Sequence, residues 1–158
     1  MLTSRDLKLG QKVYFFDLMI EEATGIRFVK ISEKSIEPST SRPYRTHILV
    51  GFDLIHDIIG LLQQGKYQEF NNGEAYNRLK DSKVFDDKNY EFIIWNRNIH
   101  GEKSHIEICE TGHSYANLIK NRDPLVDRGT FRILISKNGL TSFLTELDGL
   151  IFDASSIK

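Results

Sequence analysis

Apolar and polar positions follow a period of two through the first third of the chain, the signature of half-buried strands. Val13-Tyr14-Phe15-Phe16-Asp17-Leu18-Met19-Ile20 is rich in aromatic and branched residues. The turn Glu21-Glu22-Ala23-Thr24-Gly25 follows, with a glycine able to take positive φ, and Ile26–Ser32 returns as an antiparallel partner. A polar loop from Ser35 to Tyr44 precedes a third strand over Arg45–Val50. The period then changes. Leu54, Ile55, Ile58, Ile59, Leu61 and Leu62 are apolar at helical spacing, with Asp53 as N-cap and Gly65 as stop.

The second half repeats this order. Tyr90–Trp95 predicts a strand, Asn96–Gly101 a turn, Ser104–Cys109 a returning strand and Thr130–Ile135 another. A closing helix carries Leu140, Phe143, Leu144, Leu147, Leu150 and Ile151 on one face, capped by Asn138 or Ser136. Letters agree as well as order: Tyr14 matches Tyr90, Phe16 matches Phe92 and Gly25 matches Gly101. Glu33 matches Glu110, and Leu54, Ile58 and Leu61 match Leu140, Leu144 and Leu147. Each half has room for a leading strand, Ser4–Gly10 and Lys80–Phe85. The prediction is an α+β fold: two strand-rich repeats, antiparallel sheets and helices packed on one face. Repeat I covers about 2–65, a linker about 66–79 with a helical turn at Glu74–Leu79, and repeat II about 80–155, within a single domain of 1–158. Pro38, Pro43 and Pro124 all fall in predicted loops.

Alternation sorts the strands into faces. With Tyr14, Phe16, Leu18, Val29, Ile31, Ile48 and Val50 toward the helices, Phe15, Met19, Phe28, Lys30, Ser32, His47 and Leu49 point away. In the second half Phe92, Ile94, Ile106, Ile108, Ile133 and Ile135 go in; Ile93, Trp95, Arg97, His105, Glu107, Arg132 and Leu134 go out. The outward sets are too apolar for a face that meets only solvent.

The run Lys12–Leu18, then Gly25–Glu33, then Thr46–Val50 with the Leu54–Leu62 helix, resembles a PUR repeat, the unit of the Pur-alpha-like purine-rich-element binding proteins. Tyr90–Ile94, His105–Cys109 and Phe131–Ile151 continue the resemblance more loosely. It implies two intertwined ββββα repeats, an architecture similar to the Whirly single-strand binders. It also implies binding of single-stranded DNA or RNA, often purine-rich, on the sheet face that the helices leave uncovered.

Single-strand binding asks for aromatic faces that stack on bases beside cations for the backbone. The candidates are Phe15, Phe28 and Trp95 for stacking, with Arg27, Lys30, Arg97, Asn98, Lys103 and Arg132 around them. Trp95-Asn96-Arg97-Asn98 suits the task better than Met19-Ile20-Glu21-Glu22 at the corresponding place, so the second hairpin carries the greater weight. The expected role is a regulator of transcription or replication; the alternative is a protein-interaction or homodimerisation module on the same fold.

Composition narrows this picture without redirecting it. The 158 residues carry 21 Lys+Arg against 22 Asp+Glu and are 40% hydrophobic, which excludes a disordered or low-complexity chain. A pI near 6.5 excludes a polycation, so any nucleic-acid site depends on where charges sit. A single cysteine, Cys109, excludes an internal disulfide, and with no signal-like or membrane-length apolar run the expectation is a cytoplasmic protein without membrane association. His105 and Cys109, four positions apart on a strand, lie about 13 Å from each other and cannot share a zinc ion. With no phosphate loop, nucleophile elbow or HExxH string, the expectation is no catalysis, no metal and no cofactor.

Overall fold

The computed structural model describes residues 2–36, 43–67, 75–80, 91–97, 105–111 and 132–156. Strands β1 (Thr3–Leu9), β2 (Lys12–Ile20), β3 (Arg27–Ile36) and β4 (Pro43–Gly51) form one antiparallel sheet in sequence order. A 3₁₀ turn, Phe52–Leu54, leads into α1 (Ile55–Tyr67). The second sheet is β5 (Ala75–Lys80), β6 (Glu91–Arg97), β7 (His105–Thr111) and β8 (Arg132–Ser136), again in order. A second 3₁₀ turn, Lys137–Gly139, opens α2 (Leu140–Ser155). The architecture is the predicted α+β arrangement of antiparallel sheets and helices.

Local chemistry explains most boundaries. Gly25 takes φ 73°, and its N–H donates to the Glu21 carbonyl to close the β2–β3 turn. That left-handed φ is one that residues with a Cβ rarely adopt, which favours glycine there. Ser136 Oγ accepts from Gly139 N at 3.2 Å, capping the turn before α2. Asp53 does not cap α1. It lies inside the 3₁₀ turn, whose N-cap is Gly51 with no side-chain cap, and α1 runs on through Gly65 to Tyr67. Pro43 is not a loop residue but the first residue of β4, a place where a missing N–H costs the ladder least. The stretch expected as linker and helical turn contains β5, whose register against β6 runs from Ala75↔Trp95 to Lys80↔Glu91. The leading strand of the second half therefore precedes the predicted Lys80–Phe85, most of which lies outside the described residues.

One apolar core unites the halves. Tyr14, Phe16, Leu18, Val29, Ile31, Ile48 and Val50 from the first sheet share one cluster with Ile94, Ile106, Ile108, Ile133 and Ile135 from the second and with the apolar faces of both helices. Each helix serves the opposite sheet. α2 lies across β1 and β2, while α1 runs beside β5. Phe143 of α2 packs edge-on against Tyr14, at 5.5 Å between centroids, and against Phe16 at 5.0 Å. Arg5 of β1 clamps α2 through Asp153 at 2.8 Å and Glu146 at 3.2 Å.

One link between the sheets is reciprocal. Glu33, on β3 and 1% exposed, accepts from Leu134 N of edge strand β8 at 3.0 Å. Glu110, on β7 and 1% exposed, accepts from Leu49 N of edge strand β4 at 2.9 Å. Each buried carboxylate thus satisfies an edge N–H that would otherwise be a template for unwanted pairing. Glu33 stands opposite Tyr14, and Glu110 opposite Phe92. Tyr14 therefore corresponds to Phe92, two positions from the sequence match with Tyr90. In the helices Ile55, Ile58 and Leu62 correspond to Leu140, Phe143 and Leu147, one position from the match made on letters. Apolar periodicity leaves such slips open; shared hydrogen bonds close them.

Candidate functional site

The face of the first sheet turned away from the helices is set by register. Residues opposite each other across an antiparallel ladder share a face. One cross-strand row is Lys8–Val13–Lys34–Arg45, the next Asp6–Phe15–Ser32–His47, and the next Ser4–Asp17–Lys30–Leu49. Strands lie about 4.8 Å apart, so three cations of four positions fall in the first row. Phe15, Asp17, Lys30, Ser32, Lys34, Arg45 and His47 line an open groove of about 280 Å³ on this face.

Within the groove Phe15 is half-buried, and the Lys34 ammonium lies 5.1 Å from its ring centroid. Lys30 stands opposite Asp17. Partial burial pushes the Asp17 carboxyl above its ordinary range, while Lys30 and Lys34 pull against that shift. Ser32 and His47 form a buried polar floor, at 8% and 1% exposed. A ring flanked by three cations, with one acid and two polar side chains beside it, can hold a flat apolar group with an anion attached.

The predicted residues divide. Phe15 and Lys30 meet in this groove. Phe28 shares the face but is only 1% exposed, packed with Leu49 and Met19 in a small separate cluster, so its ring is not open to stacking. The Arg27 guanidinium sits 4.4 Å over the Phe52 ring, beside the entry to α1, because Arg27 has the parity of core-facing Val29. Arg132 is ion-paired with Glu107 at 3.5 Å on the second sheet, and its N–H donates to Thr46 Oγ1. Trp95 and Arg97 occupy β6 at register positions opposite Glu107 and His105. Asn98 and Lys103 lie outside the described residues.

Lys34 and Arg45 were not among the predicted site residues. The sequence pattern ends this strand at Ser32, four residues short of Ile36; continuing the alternation brings Lys34 onto the same face as Lys30. Arg45 has the parity of His47, which the alternation had already turned outward. No group of His, Cys, Asp and Glu among the described residues is placed to hold a metal ion. No described helix is long and apolar enough to cross a membrane.

No protein-family model matches the chain, and no curated protein is similar to it in sequence. Neither comparison supports the PUR resemblance. Among solved structures the chain is similar to the plant transcriptional regulator PBF-2, at 9% identity and a TM-score of 0.36, over 100% of this chain and 97% of that one. It is also similar to WHY3 from Arabidopsis thaliana, at 10% identity and a TM-score of 0.34, over 99% and 95%. Likenesses at this distance carry no functional argument; the geometry of the groove does.

Proposed function

We propose that this chain binds single-stranded DNA or RNA on the outer face of its first sheet, without catalysis. The observation that carries the reading is the groove itself: Phe15 among Lys30, Lys34 and Arg45. A base stacked on Phe15 contributes about 1–3 kcal/mol, and every base has a face to offer, so the site is sequence-tolerant. The Lys8–Lys34–Arg45 row gives the sugar-phosphate backbone a track across the strands. A duplex hides its base faces, so the groove suits single strands. A PUR-like organisation, a preference for purine-rich targets, a homodimer, a cytoplasmic setting and a role in transcription or replication are the finer parts of the same proposal.

Titration of labelled single- and double-stranded oligonucleotides by fluorescence anisotropy at two salt concentrations tests it. The expected result is single-strand binding that weakens with salt and falls about ten-fold or more in Phe15→Ala. Absence of binding at low salt sinks the reading. A dimer that dissociates on Phe15→Asp, with no oligonucleotide bound, would favour the protein-interface alternative.

A further inference from the structure

The Lys34 ammonium lies over the ring that the proposed ligand must use. Its direct register partners are Val13 and Arg45, whereas Phe15 is opposite Ser32, so the contact is diagonal. Two cations directly across a ladder repel. Leaning toward Phe15 takes the Lys34 charge away from Arg45, onto the electron-rich face of a ring and within electrostatic reach of Asp17. A phosphate arriving at the row reverses that balance, because an anion between Lys34 and Arg45 turns their repulsion into a shared attraction.

We propose that Lys34 is an exchangeable cover on Phe15: an incoming base takes its place on the ring, and the displaced ammonium moves to the backbone phosphate. This rests on the single-strand reading above and adds which residue must move and where it goes. No covalent step is involved. The cover shields an apolar ring while the groove is empty and becomes a contact when it is filled.

The exchange has a distinctive thermodynamic signature. Lys34→Gln removes a phosphate contact, which flattens the slope of log affinity against log salt by about 0.7 for a single strand. It also uncovers Phe15, a gain of about two- to five-fold that screening does not remove. The lines for the variant and the parent protein must then cross, at roughly 0.1–0.4 M monovalent salt given those two magnitudes. Lys30→Gln loses a cation that stands opposite Asp17 and leaves the Lys34 ammonium over Phe15, so its line lies below the parent's and approaches it only near 1 M.

The measurement is anisotropy titration of an unstructured, fluorescein-labelled single-stranded DNA from about 0.05 to 1 M salt, for the parent, Lys34→Gln, Lys30→Gln, Phe15→Leu and Phe15→Leu/Lys34→Gln. Crossing of the parent line by Lys34→Gln, and no crossing of the Phe15→Leu line by Phe15→Leu/Lys34→Gln, is the expected result. A Lys34→Gln line beneath the parent at every salt concentration overturns the exchange and leaves single-strand binding standing. A parent protein that binds no oligonucleotide overturns both.

Discussion

The two sheets share a plan on the inside and differ on the outside. Inward, each offers branched and aromatic residues to one core, and each projects a buried glutamate, Glu33 or Glu110, onto the edge strand of the other. Outward, the first sheet sets three cations around Phe15, whereas the described side chains of the second neutralise each other through Glu107 and Arg132. Packing and buried hydrogen bonds tie the inner faces to one solution. Outer faces carry no such constraint, so two copies of one unit can keep a common interior while their described outer residues differ in charge.

The largest expected effect breaks the shared interior. Phe143→Ala opens a cavity between α2 and the first sheet and costs about 3–5 kcal/mol. Because α2 belongs to the second half, urea unfolding followed by circular dichroism and fluorescence is expected to stay a single transition. Two separate transitions would show that the halves are joined less closely than the common core implies.

Next come the reciprocal glutamates. Glu33→Ala takes the carboxylate from the part-buried Leu134 N–H and Glu110→Ala from the buried Leu49 N–H, at up to about 1–3 kcal/mol each. Glu33→Ala also loses Lys12 at 3.5 Å and the field of Glu33 on the Tyr14 hydroxyl, which donates to the Leu134 carbonyl at 2.6 Å. Denaturant midpoints for the pair measure this directly; one neutral variant would end the claim of equivalence.

The outer faces are compared by charge reversal. Arg45→Glu is expected to weaken single-strand binding at low salt and reduce the salt slope by at least about 0.7. Arg132→Glu, on the second sheet, should change either quantity by much less. Equal losses would move the binding surface to include both sheets.

The smallest effect is in pH. Burial raises the Glu33 carboxyl above its ordinary value of 4.5, against the pull of Lys12 and the Leu134 N–H. Between the unfolded and folded values the native state holds a proton that the unfolded chain lacks. Stability from this group is therefore fully present below the unfolded value and is lost as pH rises through the folded one. Glu33→Gln removes the dependence, so the parent should gain on the variant as pH falls from neutral toward 4.5. Asp17, shifted the same way by burial, and Asp153, held low by Arg5, titrate in both proteins and cancel in the difference.

Much of the fold was legible because burial on one side imposes period two on a strand. Every inward residue expected from alternation whose burial is described is indeed buried, from Tyr14 through Ile135. Element ends were less legible: Asp53 is a good cap by composition, yet the 3₁₀ turn around it moves the helix start to Ile55. For the site, Phe15 and Lys30 could be found by parity alone. Phe28 could not be excluded that way, since Leu49 beside it comes from another strand.

The order of elements, the inner and outer sets of each strand and the turn at Gly25 follow from the chain itself, because each depends on neighbours within a few residues. Which residues stand together across strands is another matter. Lys8, Lys34 and Arg45 are far apart in sequence and share a row only once two hairpin registers and the β3–β4 pairing are set. Glu33 and Glu110 could be matched by letter, but their partners, Leu134 and Leu49, lie in the opposite sheets. Those contacts arise from the packing of two sheets on one core, a balance of non-local terms that no short window of sequence contains.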